Sequence, residues 1–164
     1  MSGRVMNLSG PSAIVAAAKI AFAQEVAQAP PMSLRAGNAV DNYVVQPPYS
    51  PTEDRVCDAY FEQNYWGIAH LDALSFRHYL PALIDFSLRH LGQGSNVVDT
   101  LVFNLRPPDR EPPRLGSLSP AQGGVITLFL DLLAFDAGSA FKDDAMLALE
   151  EWWAPGALYR PATQ

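Results

Sequence analysis

Two of the chain's three histidines, His78 and His90, fall in one stretch at 74–90, LSFRHYLPALIDFSLRH. Arg77, Tyr79 and Asp85 lie in the same stretch. A histidine held by a carboxylate can move protons near neutral pH, so His78 with Asp85 is one general acid–base pair to weigh. His70-Leu71-Asp72 offers a second pairing. Metal chemistry has less support. No His-x-x-x-His or Cys-x-x-Cys spacing occurs to set two zinc ligands on one element, which leaves His70-Leu71-Asp72 as a weak alternative ligand pair. A serine nucleophile lacks its Gly-x-Ser-x-Gly elbow. The plainer reading of the stretch is a bent core helix. Pro81 removes one backbone hydrogen bond and crowds the turn before it, at about 3 kcal/mol in a straight helix. Leu80, preceding a proline, disfavours helical geometry. The spacing therefore predicts a break or restart at Leu80 and Pro81, with Leu83, Phe86 and Leu91 facing one way. His70, His78 and His90 are too scattered to share a helix face, so neither a metal nor a cofactor is expected.

Charge offers a different chemistry. Asp54, Asp58 and Glu62 recur at i, i+4 and i+8. On one helix face, like charges at that spacing cost about 0.2–0.5 kcal/mol per pair. Asp54 in a first turn would be compensated by the helix dipole; Glu62 would not. The stripe reads either as a solvated face or as a surface for a basic partner. A second acidic patch spans 131–151, with Asp131, Asp136, Asp143, Asp144, Glu150 and Glu151 against Lys142 alone. Beside it stand Trp152 and Trp153. Tryptophan is enriched at binding centres but also fills cores. Neighbouring helical residues point about 100° apart, so one of the two is expected outside the core.

These residues must be positioned by helices. Ser9 or Ser12, with Pro11, opens a first helix to about Ala27. Ile14, Ala18, Phe22 and Val26 form its apolar stripe, and Pro30-Pro31 stops it. Residues 28–49 read as a loop, with NYVV (Asn42, Tyr43, Val44, Val45) as one short extended piece. SPTE at 50–53 carries the signature of a capping box, predicting a helix from Ser50 to about Tyr65 with Val56, Cys57, Tyr60 and Phe61 buried. Ser75 is a capping candidate for the quoted stretch. Ser95 caps a run whose Val97, Val98, Leu101, Val102 and Leu105 suit a helix, or a valine-rich strand. Residues 106–118, rich in proline and charge, read as a loop. Ser119 and Pro120 open a helix to about Phe135, apolar on nearly every side and therefore expected at the centre, with Leu128, Phe129 and Leu132 buried. Ser139 opens a last helix to about Trp153. The sum is a single all-α domain over 1–164 of about six helices, with flexible ends at 1–11 and 156–164.

The stretch Ser75, Phe76, Arg77, Tyr79-Leu80-Pro81-Ala82 resembles a bacterial family of uncharacterised all-helical domains. Ala21-Phe22 in an early helix and Leu118–Gln122 opening an apolar one add to the likeness, which spans roughly 12–135. The long proline-rich link after the first helix departs from it. The resemblance implies a packing signature and no activity. It also points toward small acidic proteins encoded near bacterial toxins.

With 164 residues the chain can bury a core without staples. Its only cysteine, Cys57, permits no internal disulfide, which suits a reducing cytoplasm. A net charge of -6 argues against nucleic acid and anionic membrane as partners. The run 13–23 loosely resembles a signal-peptide core, but Lys19 interrupts it, and it reads as an amphipathic helix. Together these features predict a cytoplasmic, non-enzymatic binding protein. Its concrete form is an immunity-type protein that occludes a basic toxin by presenting carboxylates where a phosphate backbone would lie. Asp54, Asp58, Glu62, Asp143, Asp144, Glu150 and Trp153 are the expected contact residues. An enzyme using His70 or His78 with Asp72 or Asp85, and a self-associating scaffold joined through the tryptophans, are the rivals.

Overall fold

A computed structural model describes residues 10–161. They form eight α-helices, with no strand among them: α1 (Pro11–Ala21), α2 (Ala23–Val26), α3 (Leu34–Asp41), α4 (Asp58–Asn64), α5 (Ala73–Arg89), α6 (Asn96–Asn104), α7 (Pro120–Phe135) and α8 (Lys142–Ala148). A 3-10 helix, Tyr65–His70, leads out of α4, and a π turn, Leu149–Trp153, continues α8. One hydrophobic core joins them, so the all-α expectation holds with more and shorter helices. The expected flexible end at 1–11 lies outside the described residues up to Ser9; Pro11 already starts α1. At the other end, Leu158 and Tyr159 donate backbone hydrogen bonds back to Glu150 and Glu151, so 158–159 is tied down. Residues 162–164 lie outside the described range.

The centre is α5. Ten of its seventeen residues are buried, against seven of sixteen in α7. The expected break at Pro81 does not occur: α5 runs unbroken through it. Proline still withdraws the N–H that Arg77's carbonyl would receive. However, Tyr79 and Leu80 before it, and Leu83 and Ile84 after it, are all buried. Each fully buried apolar side chain contributes about 1.5–3 kcal/mol, which outweighs one lost bond. Asp72, not Ser75, is the N-cap residue of α5. Ser75 lies inside, where its hydroxyl accepts from the Met32 N–H at 2.9 Å.

In α7 the capping box is present as the sequence indicates: Ser119 accepts from the Gln122 N–H, and the Gln122 side chain returns to the Ser119 N–H. The helix is not central, though. It packs against α1, α8 and the π turn. Phe129 is buried, but Leu132 is only half-buried and Leu128 is exposed. An apolar composition alone does not fix which side meets solvent.

The link 28–49 contains a helix that its composition hides. Ser33 caps α3 by accepting from the Ala36 N–H at 2.9 Å. The Tyr79 hydroxyl accepts from the Leu34 N–H and the Tyr60 hydroxyl from the Arg35 N–H, both at 3.2 Å. Three of the first-turn donors, which a helix cannot satisfy itself, thus meet side-chain oxygens from three places in the chain. Helix α3 then crosses the 3-10 helix with glycine against glycine. A Cβ on Gly37 would lie 2.6 Å from the Gly67 carbonyl oxygen, and one on Gly67 would lie 2.3 Å from that of Leu34. Asn42 to Val45 form no strand; Tyr43 turns the chain at a φ of 58° and is solvent-exposed with Val45.

The loop at 106–118 is also anchored. The Asp109 carboxylate accepts from the N–H groups of Arg110, Arg114, Leu115 and Gly116 at 2.7–2.9 Å. The buried Arg114 guanidinium donates to the carbonyls of Ile68 and Leu71 and to the Asn104 side chain, and stacks 4.3 Å over the Phe76 ring. Burial lowers its pKa to about 10, with Arg110 adding to the shift and Asp109 opposing it. The loop therefore closes the 3-10 helix against α6.

Candidate functional site

The acidic stripe is not a helical face. SPTE forms an isolated turn: the Ser50 hydroxyl accepts from the Glu53 N–H, and the Asp54 N–H donates to the Ser50 carbonyl. The chain then extends, and α4 begins only at Asp58. Val56 and Cys57, in the extended part, are exposed rather than buried. Asp54 is 3% exposed. Its carboxylate accepts from Arg35 at 3.1 and 3.2 Å, from the Ser50 N–H at 2.8 Å and from the Tyr60 hydroxyl at 2.9 Å. Burial pushes its pKa up, but these donors together hold it below the ordinary carboxylate value. Asp54 is thus a structural anchor tying the turn to α3, and unavailable to a partner.

Asp58 is also engaged within the fold. Arg89 grips it with two hydrogen bonds of 2.7 and 2.9 Å, and His90 lies 3.3 Å away. The Arg89 bonds lower its pKa to about 2. Glu62 alone of the three is free on the surface, beside Tyr65 and His90. Asp143, Asp144 and Glu150 are exposed as expected. Trp153 is buried, its indole N–H donating to the Leu105 carbonyl at 2.8 Å. Trp152 is buried too. The π turn, wider than an α turn, changes the angle between successive side chains and lets both reach the core.

The histidines stand in three places. His70 Nε2 is 3.0 Å from Asp41, His78 Nδ1 is 2.8 Å from the Glu25 carbonyl, and His90 faces Asp58. Asp72 starts α5, and Asp85 pairs with Arg89 at 3.2 Å. The His70–Asp72 and His78–Asp85 pairings are therefore replaced by other partners. Among the described residues, no three histidine, cysteine, aspartate or glutamate side chains cluster in a way that could hold a metal.

What the fold does assemble is a groove of about 590 Å³ between α6, α8 and the 3-10 helix. Asp99, Thr100, Phe103 and Asn104 line it from α6, Trp66 and Ala69 from the 3-10 helix, Asp144 from α8 and Asp41 from the end of α3, with Arg106 at its edge. Asp99 and Phe103 are four apart, so carboxylate and ring lie side by side on one ridge. Phe103 is 70% exposed and Trp66 53%; Trp66 is propped by Tyr65, whose ring centre is 4.6 Å away. Burial, and then the charge of Asp144, push the Asp99 pKa up. The groove's own cation is committed elsewhere: Arg106 donates to Glu151 at 2.6 and 3.1 Å. Neither Asp99 nor Asp144 has a side-chain hydrogen bond or ion pair among the described residues. The site is an apolar floor with two carboxylates that lack a side-chain partner among the described residues, each in the first turn of its own helix where the helix dipole offsets part of its charge; it suits an apolar segment bearing positive charge.

Of the expected contact residues only Asp144 lines this groove. Phe103 carries the signal that sequence reading passed over, because it lies off the stripe of Val97, Val98, Leu101, Val102 and Leu105 that buries α6. Asp41, at the end of α3, carries no such signal, because the composition of 28–49 reads as loop.

The chain belongs to a family described as a family of unknown function (DUF6714), whose model matches residues 11–157. No curated protein and no solved structure matches it.

Proposed function

We propose that this chain acts by binding a basic protein partner, and that the groove between α6 and α8 is where it does so. The observation that carries the reading is the combination at one place of two exposed aromatic rings with Asp99 and Asp144. A folded chain gains nothing from leaving Phe103 and Trp66 in water, and the like charges of Asp99 and Asp144 oppose each other. Both features become favourable when a cationic apolar segment covers them. Centrally placed aromatics supply the affinity, while the carboxylates speed encounter and fix register. The net charge of -6 adds long-range attraction of the same sign. In its concrete form this is an immunity-type protein of the cytoplasm, masking the basic active site of a toxin.

The test is a selection from a displayed fragment library of the source cell's proteins. Fragments are captured on the parent chain and counter-selected on a Phe103→Ser, Asp144→Asn variant that retains the parent's melting profile. The reading expects basic fragments that bind the parent and not the variant. Fragments held equally by both, or neutral ones, would overturn it.

A further inference from the structure

Within that reading, we infer that the groove is a socket for an arginine side chain of the partner, seated against Trp66 and Phe103 with its guanidinium between Asp99 and Asp144. This deepens the proposed function and rests on it. Lysine and arginine both carry charge, but they ask different things of a site. An ammonium is a strongly hydrated point charge, and a half-apolar groove would strip its water for little return. A guanidinium is flat, more weakly hydrated, and presents its donors in a fork. It stacks on aromatic faces while its edges still reach carboxylates. The groove supplies both at once. Trp66, whose ring lies tilted against Tyr65, and Phe103 offer the rings. Asp99, beside Phe103 on α6, and Asp144, across the groove on α8, offer the acceptors.

The chain's own core holds a guanidinium against a ring in a related way, with neutral oxygens in place of carboxylates. Arg114 lies 4.3 Å over Phe76 while its nitrogens donate to oxygens on two sides. The surrounding charges are consistent with an incoming cation. Asp41 is engaged by His70, and Arg106 is turned to Glu151. Arg106, the cation that lines the groove, therefore does not fill the position.

The experiment uses capped pentapeptides with one central arginine, lysine or citrulline among alanines and leucines, titrated into the full chain. The readout is the Trp66 indole N–H signal, assigned with Trp66→Phe; Trp152 and Trp153 are buried. The expected result is saturable movement of the Trp66 signal by the arginine peptide. Lysine should be weaker by about fivefold, and neutral, near-isosteric citrulline weaker still. Asp99→Asn with Asp144→Asn should abolish the arginine response while leaving the melting profile of the parent.

Arginine and lysine binding equally, with the double variant losing both, would sink the arginine socket but leave the basic-partner reading standing. If neither cationic peptide moves Trp66, or if citrulline matches arginine, the socket and the acidic basis of the groove fall together. A Trp66 signal that shifts with protein concentration alone would assign the groove to a second copy of the chain and overturn the inference.

Discussion

Replacing Gly37 with alanine tests the crossing that holds α3 against the 3-10 helix, because two effects of opposite sign compete there. Inside an ordinary helix, glycine to alanine is worth about 1 kcal/mol of added stability. At Gly37 the new Cβ would lie 2.6 Å from the Gly67 carbonyl oxygen and 2.9 Å from its Cα, both backbone atoms that cannot rotate away. Unhindered contact begins at 3.4 Å, so the two elements must separate by about 0.8 Å. Overpacking of this kind costs about 1–3 kcal/mol, occasionally more. Separation would also loosen the bonds from the Tyr60 and Tyr79 hydroxyls to the first turn of α3. The expected net effect is a destabilisation of about 1–3 kcal/mol, or a melting point lower by several degrees. Gly124 is the internal control. It lies in α7 with nothing within 4 Å of its Cβ position, so Gly124→Ala should stabilise by up to about 1 kcal/mol. Urea unfolding followed by far-UV circular dichroism measures both. If Gly37→Ala stabilised the chain as Gly124→Ala does, the close crossing would be refuted.

Asp54→Ala should destabilise by about 3 kcal/mol, since it strands Arg35, the Tyr60 hydroxyl and the Ser50 N–H around a buried position; chemical denaturation reads this, and an unchanged midpoint would contradict it. Arg114→Lys should lose about 1.5–3 kcal/mol, because one ammonium cannot reach Ile68, Leu71 and Asn104 together; the same unfolding series decides it. Asp58 has a folded-state pKa of about 2, below its ordinary 3.8. Its pairing therefore contributes fully above about pH 4 and is lost as pH falls toward 2. Between those values the parent should lose stability more steeply than Asp58→Asn, as an acid titration of the melting point would show. Leu133→Ala, at a fully buried position of α7, should cost about 2–5 kcal/mol by thermal melt, and Leu128→Ala, at an exposed one, far less.

Much of the helical order was legible because it rests on local chemistry. The Ser119–Gln122 capping box and the Ser95 cap mark their helices where they occur. The errors arise where tertiary contacts decide. Ser50 starts a turn but not a helix, because Asp54 bends back to Arg35 and Ser50. Helix α3 forms although Gly37 and Asn38 weaken it, since distant tyrosines complete its first turn. Proline at 81 sits within a helix because burial on both sides outweighs its local penalty. The groove was the least legible feature. Its carboxylates and rings come from α3, the 3-10 helix, α6 and α8, and no spacing along the chain brings Trp66 near Asp144. Only Phe103, an aromatic on the polar side of α6, announces it.

Whether this groove binds a cationic apolar segment, as proposed, is decided by calorimetry. A short amphipathic peptide carrying several arginines is titrated into the parent and into the Asp99→Asn, Asp144→Asn variant, at about 20 mM and about 300 mM salt. The expected result is saturable one-site binding to the parent, weakened at the higher salt, and markedly weaker binding to the variant at the lower salt. Equal affinity of parent and variant at about 20 mM salt would contradict it.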